Sequence, residues 1–344
     1  MDTIVAVAIA GSVLAGVIAI APTIKVGLDM APYLYANTRC SSRSGLILKK
    51  KEYEQILGAS SIQEVYALLE DTYYGKLMEH ADSNLSHLLN EDLYETYVWL
   101  ESITPTKLKP IMNTIRMKFE IADLKSAINS CAKGETPDKI NHIEDESFRI
   151  KLESCKDLDA FVAALKDTKY DVITSQSNSI TVSSLSNQLD VFYYSLVSEE
   201  IRILKDNDGA IVFRDYWKKS IDLVNIRLTL RRIDGVSDIN LIEGGFLEVK
   251  DLQSSSDKMQ LESIFSKSIY KEFLVGMKGV EIETSLFASF KKEASNVNAK
   301  HALKTGTIVK FLISKELEIR NLNILTKLKG EDYSSDDIEK LLVI

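Results

Sequence analysis

Proline is scarce in this sequence. The 344 residues include five prolines, and none of them follows Pro137. Proline ends helices because it lacks a backbone donor and its ring clashes with the preceding turn. More than 200 consecutive residues therefore lack the strongest helix breaker. The sequence predicts an all-α fold.

Cysteine and an excess of positive charge are also missing. The three cysteines, Cys40, Cys131 and Cys155, show no CxxC or Cys/His spacing. Their odd number argues against a disulfide scaffold and favours a body in the reducing cytoplasm. The formal net charge is −8. Nucleic acid is therefore excluded as the expected partner, because phosphate binding draws on clustered lysine and arginine.

Motifs for nucleotide binding and catalysis are absent as well. There is no GxxxxGK[ST] or GxGxxG sequence, and Glu243-Gly244-Gly245 predicts only a turn. His142 precedes an acidic stretch but lacks a second histidine at ligand spacing, which favours a solvated segment over a metal site. His80, His87 and His301 stand alone and indicate surface or core positions. No catalytic, cofactor-binding or metal residue is predicted, and no nucleophile–base arrangement supports a hydrolase.

One long apolar segment lies at the N-terminus. Thr3–Ile24 is 22 residues without a charge, about the ~20 that a helix needs to cross a bilayer. Lys25 and the Lys49–Lys51 run follow it, so the positive-inside rule places the body on the cytoplasmic side and the N-terminus outside. A cleaved signal peptide is the alternative, since Ala19-Ile20-Ala21 resembles a cleavage site. Asp2 and the lack of a preceding lysine or arginine disfavour cleavage.

A short pattern recurs four times after this segment. Its central residues are Asn37, Asp123, Asn225 and Asn321, at spacings of 86, 102 and 96 residues. A period this long exceeds the roughly 20–50 residues of solenoid repeats, so it marks domain-sized units. In the last three copies an acid stands three positions earlier, which places both polar groups on one helix face. These acids are Glu120, Asp222 and Glu318.

A second pattern follows each of the first three copies. Ala67–Tyr74 matches Ala163–Tyr170, and Ser263–Tyr270 is a looser third copy. Apolar residues at three- and four-residue steps predict that each unit buries one face of this helix. A longer amphipathic segment comes next in each unit and is interpreted as a helical hairpin. These segments are Leu85–Leu100, Leu189–Leu204 and Ile282–Phe290.

Together these features resemble the C-subunit family of archaeal A-type ATP synthases, whose eukaryotic V-type ATPase members are called d. The resemblance covers nearly all of the chain after the apolar segment. It rests on Tyr33-Leu-Tyr-Ala-Asn-Thr-Arg39, on Ala67–Tyr74 and on Glu318-Ile-Arg-Asn-Leu322, which reproduces the family's C-terminal signature. The apolar segment is a departure, because the widely studied members are soluble and lack a transmembrane helix.

The resemblance implies three homologous helical domains in a pseudo-threefold funnel, preceded by one N-terminal transmembrane helix. The expected boundaries are 1–28 for the membrane helix and linker, 29–117 for repeat 1, 118–218 for repeat 2 and 219–344 for repeat 3. A closing helix over Lys315–Lys329 is expected to begin a fourth unit without finishing it.

The function that the resemblance implies is non-catalytic. The chain is expected to belong to the central rotor, where it couples the proteolipid ring to the central stalk and transmits torque for ion-driven ATP synthesis. Its expected partners are ring subunits, stalk subunits and the cell membrane, with no nucleic acid, small-molecule substrate or cofactor. The alternative is a membrane-anchored helical scaffold or adaptor with an unrelated partner.

Two sets of polar side chains leave alternatives open. The repeated acid and amide pairs are favoured as bonds between helices or to loop backbone, since buried polar groups need partners; a functional set is the alternative. Arg39, Lys125 and Arg227 fit the same structural role. The Lys49–Lys51 run either meets acidic headgroups or ring loops, or is simply solvated.

Overall fold

The computed structural model describes residues 27–28, 30–78, 84–175, 180–204, 210–236, 239–274 and 280–344. Within these ranges the chain forms helices joined by turns and loops, with no strand, which confirms the all-α prediction. The predicted membrane segment Thr3–Ile24 lies outside the described residues. Among the helices that are described, none is both long and apolar enough to span a membrane.

The first half of the chain holds two runs of short helices, each followed by a long one. Helix α1 covers residues 30–44. The next helices are α2 (Lys50–Leu57), α3 (Ile62–Glu70), α4 (Tyr73–Met78) and α5 (Leu85–Ile103). A 3-10 turn (Thr106–Leu108) leads to α6 (Lys109–Arg116), α7 (Lys118–Ala132), α8 (Glu146–Glu153), α9 (Leu158–Leu165), α10 (Asp171–Ser175) and α11 (Val182–Ile203).

The second half repeats the order and then adds a closing helix. It contains α12 (Ala210–Ile233), α13 (Val249–Ser254), α14 (Lys258–Ser266), α15 (Lys271–Leu274), α16 (Val280–His301), α17 (Gly306–Gly330) and α18 (Ser335–Glu339). Helix α17 packs against α3, α5, α12, α16 and α18. Its buried side chains lie on several sides, as expected of a helix enclosed by neighbours.

The hairpin interpretation was wrong. Each of the three segments lies in one long helix, namely α5, α11 or α16. No glycine or proline interrupts any of these helices, so the apolar periodicity continues without a turn. The helices that pack against them are separate elements elsewhere in the chain.

Local structure repeats where the second sequence pattern repeats. Ser61, Asp157 and Asp257 cap α3, α9 and α14, each accepting a bond from the backbone N–H three residues later. Such caps typically contribute about 1 kcal/mol. After each of these helices, a hydroxyl accepts a 3.1 Å bond from the N–H of the second residue following it. These hydroxyls belong to Thr72, Thr168 and Ser268, and the residues that follow are Tyr74, Tyr170 and Tyr270.

Candidate functional site

Three buried tyrosines meet the three predicted acids. Tyr74, Tyr170 and Tyr270 are each at most 1% exposed. Each hydroxyl lies at the carboxylate of Glu318, Glu120 or Asp222 respectively, on the helix that packs over it. We call these three contacts the acid–tyrosine joints. They fix the short helices of each run to a long helix.

The joint on α7 has a lysine partner. The Tyr170 hydroxyl donates to Glu120 Oε2 at 2.7 Å, and Lys169 Nζ lies 2.7 Å from the same oxygen. The Tyr170 ring stacks on Phe148 and meets Phe192 edge-on. Burial, and then the nearby Glu120 carboxylate, raises the pKa of Tyr170 well above its usual value. The hydroxyl therefore remains a donor to Glu120.

The joint on α12 has no basic partner within bonding distance in the described ranges. Asp222 is fully buried and accepts bonds from the Tyr270 hydroxyl at 2.7 Å and from two backbone N–H groups at 3.0 Å. Burial raises the pKa of Asp222 to about 6, although these three bonds act to lower it. A Cβ on Gly245 would lie 2.0 Å from Asp222 Oδ1, so only glycine fits beside the carboxylate.

The joint on α17 links the two ends of the chain. Glu318 accepts a 2.7 Å bond from the Leu48 N–H, and its second oxygen lies 3.1 Å from Lys315 Nζ. Lys315 also bonds the Tyr74 hydroxyl at 2.8 Å and the Asp92 carboxylate at 2.8 Å. An acid near the C-terminus thereby holds the first run of short helices.

The amide three residues after each acid secures a loop. Asn225 exchanges two hydrogen bonds with the backbone of Ile242, and Asn321 does the same with Val343. Asp123 accepts from two consecutive N–H groups, at Asn141 and His142. Asn37 breaks the pattern, because its amide donates to the carbonyl of Ala302.

The first run is therefore completed by α17 rather than by α1. Glu318 and Asn321 make the same kinds of bond as their counterparts on α7 and α12. The expectation that α17 begins an unfinished fourth unit was wrong. Its sequence copy closes the first unit, and only the fold brings the two together.

Of the three predicted basic partners, two form ion pairs. Lys125 pairs with Asp190 at 2.5 Å, and Arg227 pairs with Glu283 at 2.5 Å. Arg39 is exposed. The polar pairs and these two cations thus bond within the protein, which agrees with the structural role expected of them.

His142 is enclosed rather than solvated. Its Nδ1 lies 3.1 Å from Asp123 and its Nε2 3.3 Å from Glu91 on α5, while its ring packs against Tyr94. Burial acts to lower the pKa of His142, but the two carboxylates outweigh it and raise the pKa. The solvated interpretation holds only for the exposed residues 144–146 that follow.

A central cavity of about 430 Å³ lies where the long helices converge. Glu316 of α17 lines it and accepts bonds from Tyr97 on α5, Lys118 on α7 and Tyr216 on α12. Burial acts to raise the pKa of Glu316, but Lys118 and the two tyrosines outweigh it and lower the pKa. One carboxylate thus ties four helices together.

Sequence reasoning missed Glu316. It has no counterpart in the repeated pattern, and its three donors lie 100 to 219 residues away along the chain. The polar groups at this centre are engaged with one another, so the arrangement holds helices in fixed positions.

Comparisons with known proteins agree with this picture. The sequence profile of the ATP synthase (C/AC39) subunit family matches residues 36–341, which include all three joints and the central cavity. The C-type chain of the A-type ATP synthase from Methanocaldococcus jannaschii is 24% identical, over 93% of this chain and 88% of that protein. Its counterpart from Methanosphaera stadtmanae is 23% identical over 95% and 92%. The Thermococcus kodakarensis protein is 23% identical over 93% of each chain.

Proposed function

Because this chain belongs to the ATP synthase (C/AC39) subunit family, we propose that it couples the proteolipid ring to the central stalk of an A-type ATP synthase. It is a non-catalytic member of a membrane-associated rotary complex, and its partners are other subunits of that complex. Coupling requires a body that does not shear under torque.

The closure of the chain on itself carries this proposal. Glu318 joins the C-terminal helix to the N-terminal run at Leu48, and Glu316 joins α17 to three other long helices. A body closed in this way has no free terminal unit that could peel away, since each end is held by a buried charged hydrogen bond. Torque applied at one unit would reach the others through α17.

We also propose that the body is a pseudo-threefold funnel of three homologous units, over 29–117, 118–218 and 219–344. The repeated caps, hydroxyl turns and acid–tyrosine joints support the equivalence. The proposal assigns Glu318 and Asn321 to the first unit in space, although they belong to the third segment in sequence.

Co-purification tests the coupling role. The tagged full-length chain, expressed in a host that assembles the whole complex, should carry both ring and stalk subunits after mild solubilisation. Glu316→Gln should reduce stalk recovery, because neutralising the carboxylate loosens the four helices around it, whereas the exposed control Glu331→Gln should not. A folded chain that travels with neither ring nor stalk would favour the scaffold alternative.

We propose further that Thr3–Ile24 spans the membrane with the N-terminus outside and the body on the cytoplasmic side. A body that turns with the ring cannot trail a helix outside it, since that helix would sweep through lipid and strike the stator. The helix would therefore enter the lumen of the ring, near the rotation axis. Peripheral anchoring in lipid is the alternative, because an apolar helix needs only hydrocarbon around it.

Cysteine crosslinking separates these two positions. Cysteines at Val7, Leu14 and Val17 should crosslink to lumen-facing positions of the ring helices. Crosslinks confined to the outer ring surface or to stator helices would reject the lumen position and leave the coupling role intact.

A further inference from the structure

A second cavity, of about 360 Å³, lies beside the joint on α17. It is enclosed by the start of α2, by α16 and α17 and by the residues after α18. Its walls are largely apolar and include Ile47, Leu48, Leu317 and Val343. The volume falls at the lower end of the roughly 300–1,000 Å³ of small-ligand sites.

Three lysines stand around this cavity. Lys49 and Lys50 lie on one side and Lys291 of α16 on the other, and all three are exposed. Lys50 is 3.7 Å from Glu54, and the other two form no ion pair within the described ranges. Burial lowers the pKa of Lys291, as expected of an amine partly enclosed by apolar surface. Positive charge therefore exceeds negative charge at the entrance.

The wall also carries a buried donor without an acceptor. Tyr53 is 4% exposed, and its hydroxyl forms no hydrogen bond within the described structure. The nearest polar side chains are already engaged, since Asn321 bonds both backbone atoms of Val343 and Glu318 bonds Leu48 and Lys315. Buried hydroxyls are normally bonded, so one that is unpaired and faces a cavity is poised for a ligand oxygen.

We propose that this cavity binds an anionic membrane lipid, with an acyl chain against the apolar wall and the headgroup at the three lysines. The Tyr53 hydroxyl donates to a carboxylate or ester oxygen of the lipid. Free donors and apolar surface define the ligand as an amphiphile with a negatively charged, acceptor-rich head. This assigns a ligand to the Lys49–Lys51 run and does not depend on the coupling role.

Photolabelling in vesicles tests the proposal. The full-length chain would be reconstituted in phosphatidylcholine vesicles containing a fatty acid with a diazirine at its terminal carbon, and adducts would be mapped by mass spectrometry. Labelling should concentrate on the peptides that contain Leu317 and Val343. The methyl ester of the same acid, which lacks the charge, should label these peptides about fivefold less or weaker still, since one charge contact near a membrane is worth about that factor.

Matched variants separate this site from general attraction. Lys49→Gln and Lys291→Gln should each lower cavity labelling about fivefold, whereas the exposed neighbour Lys51→Gln, which does not line the cavity, should leave it unchanged. Tyr53→Phe should lower labelling about fivefold without lowering the melting temperature, because its hydroxyl has no partner to lose in the free protein.

Three outcomes would overturn the proposal. Adducts found only outside the cavity peptides would show that the lipid lies elsewhere. Equal labelling by the methyl ester, or an equal effect of Lys51→Gln, would show that these lysines recognise no headgroup. A Tyr53→Phe variant that is destabilised but labels normally would make the hydroxyl structural.

Discussion

Removing single hydroxyls from the three equivalent tyrosines should reveal that the joints differ in strength. The variants are Tyr74→Phe, Tyr170→Phe and Tyr270→Phe. Each deletes one buried hydrogen-bonding group and keeps the ring, so differences in unfolding free energy report on what remains around the acid. The exposed Tyr333→Phe is the matched control.

The joint on α12 should suffer most. Without the Tyr270 hydroxyl, Asp222 keeps two backbone N–H bonds and gains no cation. Hydrogen bonds to a buried charge contribute about 1.5–3 kcal/mol, so Tyr270→Phe should cost about 2–3 kcal/mol at neutral pH. In the joint on α7, Lys169 remains beside Glu120 and half of its side chain is exposed, so it can readjust. The cost of Tyr170→Phe should therefore be near 1 kcal/mol.

The joint on α17 should behave like the joint on α7. Lys315 loses the Tyr74 oxygen but keeps both Asp92 and Glu318. A loss near 1 kcal/mol is expected for Tyr74→Phe, because the amine stays paired with two carboxylates.

Urea unfolding of the full-length chain, followed by helix content at neutral pH, measures all four variants on one scale. Tyr270→Phe should exceed the other two by at least about 1 kcal/mol, and Tyr333→Phe should be within about 0.5 kcal/mol of the parent. Equal losses at the three joints, or the smallest loss at Tyr270, would refute the argument that lysine pairing compensates for the missing hydroxyl.

Three further predictions concern the same region. Tyr170→Ala should cost about 3 kcal/mol through loss of a buried ring, and an unchanged melting temperature with failed stalk binding would instead make Tyr170 an interface residue. The pKa of Asp222 is about 6 in the folded protein, above its ordinary value. Its contribution to stability is therefore present below about pH 4 and lost as pH rises through 6, by at most about 3 kcal/mol. Urea titrations at about pH 4 and pH 8 should show this loss in the parent and not in Asp222→Asn, and parallel losses would contradict it. Gly245→Ala should destabilise the protein by about 1–3 kcal/mol by displacing Asp222, whereas Gly58→Ala, whose Cβ would make ordinary contacts, should be neutral in a thermal melt.

Some features of the site could be predicted because their signals are local. The acid and amide at positions i and i+3 of α7, α12 and α17 share a helix face whatever surrounds them. The buried faces of α3 and α9 follow from apolar spacing in the same way. Single long helices were mistaken for hairpins because periodicity alone gives the face of a helix and says little about where it turns back.

Other features depended on distant partners and could not be predicted. Glu316 meets Tyr97 across 219 residues, and Glu318 meets Leu48 across 270. Neither pairing has a pattern in the sequence, since the charges and donors involved are common residue types. The enclosure of His142 by Glu91 and Tyr94 is of the same kind.

By itself, then, the sequence determined the helical class, the recurrence of a polar pair about every hundred residues and the family resemblance. These depend on backbone hydrogen bonding and side-chain spacing within a few turns. The tertiary structure decided that α17 completes the first unit, that one carboxylate ties four helices, and that Tyr53 faces a cavity with its hydroxyl unpaired. Each of these required the packing of the whole chain, because burial and the choice of hydrogen-bond partner are properties of the folded interior.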